Sequence, residues 1–95
     1  MNQENENQKK VQQKYFKDVA EGKKKFEVRL ADFKCKEGDT LVLKELKKGT
    51  RELTGRKIEL EVVYKLNTKE IEKFYSKEEI DKYGFIILAI RKKFN

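Results

Sequence analysis

The stretch Gly22-Lys23-Lys24-Lys25-Phe26-Glu27-Val28-Arg29 decides the predicted fold, because it joins a tight turn to a strand. Apolar and charged side chains alternate from residue 25 to residue 30. A period of two places these two kinds of side chain on opposite faces of a strand. The glycine that opens the stretch permits a positive φ where the strand begins. We therefore predict a strand over Lys25–Leu30 whose apolar side chains, Phe26, Val28 and Leu30, face the core.

The charged face of this predicted strand is the candidate binding site. Lys24 lies next to it in the sequence, and Glu27 and Arg29 follow at a spacing of two. An ammonium, a carboxylate and a planar guanidinium together suit a phosphate or a nucleobase, and Lys23 and Lys25 add two more cations. An ordinary surface ion pair between Glu27 and Arg29, worth about 0 to 1 kcal/mol, is the alternative.

Composition limits the classes of function. The 95 residues suffice for one domain, and 24 Lys and Arg against 17 Asp and Glu give a net charge of +7. Residues 9–25 hold seven lysines and two acidic residues, a net charge of +5. Such a surface favours polyanions through counterion release, although an excess of lysine also keeps a small domain soluble. One cysteine and no histidine predict no disulfide within the chain, no metal and no cofactor.

The domain organisation predicted from the sequence is simple. Residues 1–8 are polar without apolar periodicity and are predicted to be a disordered tail, and residues 9–95 form a single domain. The apolar run Phe85–Ile90 is too short to cross a membrane, and the polar N-terminal residues are unlike a signal peptide. We therefore expect a cytoplasmic protein without a membrane partner.

The rest of the chain mixes helical and strand patterns. Apolar residues at helical spacing predict a helix over Val11–Glu21 that ends at Gly22. Further predicted elements are strands over Thr40–Leu46, Arg56–Leu66 and Phe85–Ile90, an exposed hairpin loop over Lys47–Gly55, a helical turn over Thr68–Phe74, and a helix that begins at a capping box at Ser76 and ends at Gly84. The buried face of the second of these strands is predicted to be Ile58, Leu60, Val62, Tyr64 and Leu66. The fold class is therefore α+β.

The spacing Gly22, Lys24, Glu27, Arg29 resembles the Gly-x-Lys-x-x-Glu-x-Arg motif of ASCH domains, which belong to the PUA-like superfamily of small β-barrels associated with RNA. The resemblance is to a small bacterial and phage branch in particular and spans about residues 10–90. It includes Phe16, Gly38-Asp39, Thr54-Gly55-Arg56 and Gly84-Phe85-Ile86-Ile87-Leu88. It implies a curved, mostly antiparallel sheet of about five strands, closed into a PUA-like barrel with the N-terminal helix against it.

One departure from that branch concerns the residues after the motif. Relatives usually carry an Asn-Asp-Arg run there and a histidine near the start, whereas this chain has Ala31-Asp32-Phe33 and no histidine. Asp32 is the one residue of that run that carries over.

The resemblance implies a non-catalytic module that binds RNA or a nucleotide in a cleft between the barrel and the N-terminal helix. The residues predicted to bind nucleic acid are Lys23, Lys24, Lys25, Glu27, Arg29, Asp32 and Arg56. Tyr15, Tyr64 and Tyr83 are candidates for stacking on an unpaired base, although core positions are an alternative for all three.

The alternative function is a small amidohydrolase, because some ASCH relatives remove the acetyl group from acetylcytidine with a threonine, a lysine and a glutamate. In that case Lys24 and Glu27 are the catalytic candidates. Glu27 stands where those enzymes place the threonine, three residues after the lysine. A carboxylate is a poorer acyl acceptor than a hydroxyl by that route.

Overall fold

The computed structural model of the chain describes residues 7–93. The helices and strands are β1 (Gln8–Val11), α1 (Gln13–Ala20), β2 (Thr40–Leu46), β3 (Leu53–Glu61), α2 (Thr68–Ile71), a 3₁₀ turn (Glu72–Phe74) and α3 (Lys77–Tyr83). These elements belong to two compact units: the first ends at Lys65 and the second begins at Leu66. The prediction of a single domain over residues 9–95 stays a prediction, and most of the predicted tail, residues 1–6, lies outside the described residues.

The first unit contains an open three-stranded sheet in the order β1-β2-β3. β1 runs parallel to β2, with Gln8 opposite Val42, and β3 runs antiparallel to β2, with Leu43 opposite Ile58. Strand β2 has the predicted bounds. Its alternating apolar residues Leu41 and Leu43 are buried, as expected from a period of two. The mixed α+β class is therefore confirmed.

The core forms where α1 packs on this sheet. Phe16 of α1 is 2% exposed and belongs to one cluster with Val11, Leu41 and Leu43. Val19, Ile58, Leu60 and Val62 are half-buried against that cluster. The predicted helix is confirmed at its centre, but Val11, its predicted first residue, belongs to β1 instead.

Gly22 ends α1 as the sequence predicts. Its φ is 76°, in the left-handed region where a side chain is strained. The N–H of Gly22 donates to the Val19 carbonyl and the N–H of Lys23 donates to the Asp18 carbonyl, which is the Schellman arrangement. The chain is thereby turned at the point where the charged motif begins.

The predicted strand over Lys25–Leu30 is not formed, and its expected burial is reversed. Val28 is 57% exposed and Leu30 is 78% exposed, whereas the Glu27 side chain is only 14% exposed. A period of two shows which side chains share a face, but it does not show which face is buried. Glu27 is enclosed by the two cations that it binds, Lys24 and Arg29.

The barrel expected from the resemblance is not observed either. Within residues 7–93 the sheet is open, with β1 and β3 as its edges, and Phe85–Ile90 forms no strand. A run that is apolar on every side becomes a strand only where a neighbour supplies backbone hydrogen bonds. Strand β3 begins and ends before its predicted bounds, and Tyr64 and Leu66, predicted on its buried face, are 75% and 55% exposed.

The second unit is a short helical segment. The predicted turn over Thr68–Phe74 is present as α2 and the 3₁₀ turn, and α3 ends at Gly84. Ser76 begins α3 with the predicted capping box: its hydroxyl accepts from the Glu79 N–H, and its own N–H donates to Glu79 Oε1. The backbone N–H of Ser76, and secondly the Ser76 hydroxyl acting as a donor to the carboxylate, lower the pKa of the Glu79 carboxyl below its ordinary value.

No helix within residues 7–93 has the length and apolar character needed to cross a bilayer.

The capping box predicts a pH dependence of α3. Because the folded pKa of Glu79 is lowered, the box stabilises α3 fully above the unfolded pKa, and this contribution is lost as the pH falls through the folded pKa. We expect the Cα chemical shifts of residues 77–83 to move toward coil values over that range. In Ser76→Ala, NMR titration of the Glu79 Cδ should show a pKa closer to the ordinary value. Ser76→Thr keeps both capping groups and serves as the control, and an unchanged Glu79 pKa in Ser76→Ala contradicts the prediction.

Candidate functional site

Three residues of the motif converge on one carboxylate. Lys24 Nζ lies 2.9 Å from Glu27 Oε1, and Arg29 Nε donates to Glu27 Oε2 at 2.7 Å. The exposed fractions of the three side chains are 19%, 14% and 29% in that order. This exposure is far below that of the ion pairs that Glu21 makes with Lys17 and Lys23, so the Glu27 carboxylate is shared by two partly desolvated cations.

Arg29 is also fixed from a second direction. Its Nη2 donates to the backbone carbonyl of Lys10, which belongs to β1, at 2.9 Å. This bond connects residues 19 apart in sequence and ties the motif to the edge strand of the sheet. A guanidinium carries five N–H groups, so the bonds to Glu27 and Lys10 leave three for a ligand.

Aromatic rings flank the ammonium of the cluster. Lys24 Nζ lies 5.6 Å from the centroid of the Tyr15 ring and 5.2 Å from that of Phe26. Both distances are within the range of cation–π attraction. Tyr15 is 49% exposed, so one part of its ring remains open to solvent beside the cluster.

The other predicted site residues are not part of this cluster. Lys23 pairs with Glu21 at 3.2 Å and is 73% exposed, while Lys25, inside the motif, and Asp32, three residues after it, are both exposed. Arg56 lies elsewhere, beside Glu45. The two remaining stacking candidates, Tyr64 and Tyr83, are 75% and 72% exposed, so neither occupies a core position.

Sequence reasoning missed the surroundings of Arg56. Its Nη1 lies 3.7 Å from Glu45 Oε1, and its guanidinium is 5.1 Å from the centroid of the Phe16 ring. Glu45 is 2% exposed, and Thr54 donates a hydroxyl hydrogen bond to its Oε1 at 2.8 Å. The signal was available: residues 41, 43 and 45 share one face of β2, so a carboxylate occupies the third inward position of that strand.

A pocket of about 760 Å³ lies at the same place. Glu45 and Arg56 line it together with residues of α1, among them Lys14 and Lys17, and with Lys48 of the β2–β3 loop. Of the residues predicted to bind nucleic acid, Arg56 is the one that lines this pocket. The charged motif and the pocket are therefore two separate groups of residues in the first unit.

The comparison with protein families matches residues 7–90 to a family described as a domain of unknown function, DUF3850. The match includes the charged motif, Glu45 and Arg56. The chain belongs to the DUF3850 family.

A similar protein occurs in a bacteriophage. The DUF3850 chain is 45% identical over 53 residues to a protein of Escherichia phage P2 described as an uncharacterized 12.9 kDa protein in the GpA 3' region. The matched stretch covers 56% of this chain and 47% of the phage protein, so the chain spans about half the length of that relative. No solved structure matches the chain.

Metal binding has no support from the side chains of this DUF3850 domain. Over residues 7–93, no three or more Asp, Glu, Cys or His side chains are grouped so that they could hold an ion.

The Glu27 carboxylate, which Lys24 and Arg29 share, is expected to contribute measurably to the stability of the DUF3850 domain. Glu27→Gln keeps the shape of the side chain but leaves Lys24 and Arg29 close together without a counter-charge. We expect a loss of about 1 to 3 kcal/mol in the free energy of unfolding, between the values for exposed and buried pairs. Urea unfolding followed by circular dichroism measures it.

Glu21→Gln is the matched control, because it removes a carboxylate whose lysine partners are 72% and 73% exposed. Its expected cost is about 0 to 1 kcal/mol. Equal losses in the two variants would show that the enclosed position of Glu27 adds nothing.

Proposed function

We propose that this DUF3850 domain binds RNA or a nucleotide through the Lys24–Glu27–Arg29 cluster. The observation that carries the proposal is the fixed guanidinium. Arg29 is oriented by Glu27 at 2.7 Å and by the Lys10 carbonyl at 2.9 Å, and it keeps three N–H groups for a ligand. A planar donor fork held in place matches the geometry of phosphate oxygens and of base edges.

The charge around the cluster supports the same class of ligand. Residues 9–25 carry a net charge of +5, and Lys14, Lys17, Lys23 and Lys25 are exposed there. Exposed lysines attract the nucleic-acid backbone without reading its sequence, and their contribution decreases as salt rises. Tyr15 lies beside Lys24 and offers a half-exposed ring on which a base can stack, a contact worth about 1 to 3 kcal/mol.

The resemblance to ASCH domains is part of the proposal. The Gly-x-Lys-x-x-Glu-x-Arg spacing, with Gly22 in the left-handed conformation, supports a place for this family within the PUA-like superfamily, which is associated with RNA. Asp32 and Arg56 enter the proposal by that resemblance, and Lys23 and Lys25 as additional phosphate contacts. The cytoplasmic location remains an expectation from the sequence.

The amidohydrolase alternative has less support. A general base must accept a proton, whereas the Lys24 ammonium donates to Glu27 at 2.9 Å. Glu27, in the position of the nucleophile of those enzymes, already binds two cations through both oxygens. A carboxylate engaged in this way is poorly placed to attack an acetyl group.

The test is a titration of single-stranded RNA, duplex RNA and mononucleotides into the labelled protein at about 50 and about 200 mM salt. We expect Arg29→Ala to weaken RNA binding at least about tenfold, equivalent to about 1.4 kcal/mol, at both salt concentrations. Lys57→Ala removes one exposed cation of β3 and is the matched control, for which we expect a change of less than about twofold at the higher salt concentration.

Three results contradict the proposal: no RNA or nucleotide binding, equal losses in Arg29→Ala and Lys57→Ala, or binding that disappears at the higher salt concentration. Circular dichroism of each variant verifies that the fold is retained. Incubation with acetylcytidine and detection of free cytidine tests the alternative, and product formation that is lost in Lys24→Ala would favour hydrolysis over binding.

A further inference from the structure

The pocket described above has an enclosed carboxylate within a basic lining. Glu45 is 2% exposed, yet it lines a pocket of about 760 Å³. Around it the pocket presents four cationic side chains, Lys14, Lys17, Lys48 and Arg56. Glu21 is the other acidic side chain of the lining; it pairs with Lys23 at 3.2 Å and, at 4.0 Å, with Lys17 of the lining itself.

Glu45 occupies the third inward position of β2, after Leu41 and Leu43, by the ordinary alternation of the strand. The pairing of β2 with β3 shifts register between Lys44 and Leu46. Because of this irregularity Leu46, the next residue, is buried as well. The carboxylate therefore lies between the buried residues Leu43 and Leu46 of the strand.

The partners of Glu45 within the described residues leave its charge incompletely compensated. Thr54 is at hydrogen-bonding distance, 2.8 Å, but Arg56 is 3.7 Å away and is 67% exposed. Both of these partners engage Oε1. A buried carboxylate is costly unless its oxygens are hydrogen-bonded, so Oε2 is the atom that gains most from a donor inside the pocket.

These features define the ligand by its chemistry. It must carry negative charge for the lysines and Arg56, and it must present an N–H donor to Glu45. A pocket of this volume is in the range that encloses one small molecule. A nucleoside monophosphate satisfies all three conditions, since its phosphate is anionic and its base has N–H groups.

We propose that this pocket binds a mononucleotide, with the phosphate against Lys14, Lys17 and Lys48 and the N–H edge of the base at Glu45. The guanine base has two adjacent donors, N1–H and N2–H: one can donate to Oε2, and the other to the lone pair of Oε1 that the Thr54 hydroxyl does not use. GMP is therefore the expected best ligand. The proposal shares its class of ligand with the proposed function, and Lys14, Lys17 and Arg56 belong to both, but it does not depend on the Lys24–Glu27–Arg29 cluster.

The test compares GMP with ribose 5-phosphate and inorganic phosphate by isothermal titration calorimetry on the full chain. We expect GMP to bind at least about tenfold more tightly than ribose 5-phosphate, because only GMP reaches Glu45. Glu45→Gln keeps an oxygen for the Thr54 hydroxyl but replaces the second oxygen with a donor. We expect it to remove most of the GMP preference and to leave ribose 5-phosphate binding within about twofold.

Two further variants separate this site from the charged motif. Lys17→Ala should weaken GMP and ribose 5-phosphate by a similar factor of about three to ten, since both carry phosphate. Arg29→Ala should weaken GMP binding less than Lys17→Ala does, because Arg29 does not line the pocket. Loss of GMP binding in Arg29→Ala with no effect of Lys17→Ala would assign the nucleotide to the motif and overturn the pocket.

An experiment on the wild-type chain keeps the proposal testable if Glu45→Gln fails to fold. Titration with GMP followed by ¹⁵N NMR should shift the amide signals of Lys14, Lys17 and Lys48 together. Equal affinity for GMP and ribose 5-phosphate, or amide shifts confined to residues 24–29, would overturn the proposal.

Discussion

The packing of Phe16 on β2 is the contact on which the rest of the first unit depends. Its ring is 2% exposed against Leu41 and Leu43, and a fully buried phenylalanine is worth about 3 to 5 kcal/mol relative to alanine. This contact fixes α1 on the sheet. One side of α1 then carries Lys14 and Lys17 to the pocket, while its C-terminal turn directs the chain into the charged motif. The guanidinium of Arg56, which lines the pocket, lies 5.1 Å from the centroid of the same ring, so a cation–π contact joins the pocket to the core.

Both candidate sites are organised around a carboxylate within a cationic surface. Glu27 is shared by Lys24 and Arg29, and its role is to fix the guanidinium in one orientation. Glu45 is more deeply buried and, among residues 7–93, has one partner at hydrogen-bonding distance besides a more distant arginine. The two carboxylates therefore serve different purposes: the first orients a neighbouring side chain, and the second offers an oxygen to a ligand.

The sequence predicted the local features well and the arrangement of the strands poorly. Gly22 and the capping box at Ser76 depend on short-range geometry, and both are as predicted. The burial of the motif was reversed because alternation alone does not distinguish an enclosed charged face from an exposed one. Strand pairing depends on distant partners, which periodicity does not identify, so the run Phe85–Ile90 was predicted as a strand that is not observed. Glu45 was missed although the alternation of β2 places it with Leu41 and Leu43, because its importance arises from Thr54, Arg56 and α1, which only the fold brings to it.

Because β1 pairs in parallel with β2, the connection between these two strands is much longer than the connection between β2 and β3. Six residues, 47–52, connect β2 to β3, whereas 28 residues, 12–39, separate β1 from β2. Closing the longer connection costs about 1.4 kcal/mol more in chain entropy, so the β2–β3 hairpin is favoured to form first and β1 to join later. The edge strand is then the first part of the sheet to open, and the Lys10 carbonyl that holds Arg29 opens with it. A ligand that binds Arg29 would therefore slow amide hydrogen exchange in β1, even if the ligand does not contact that strand.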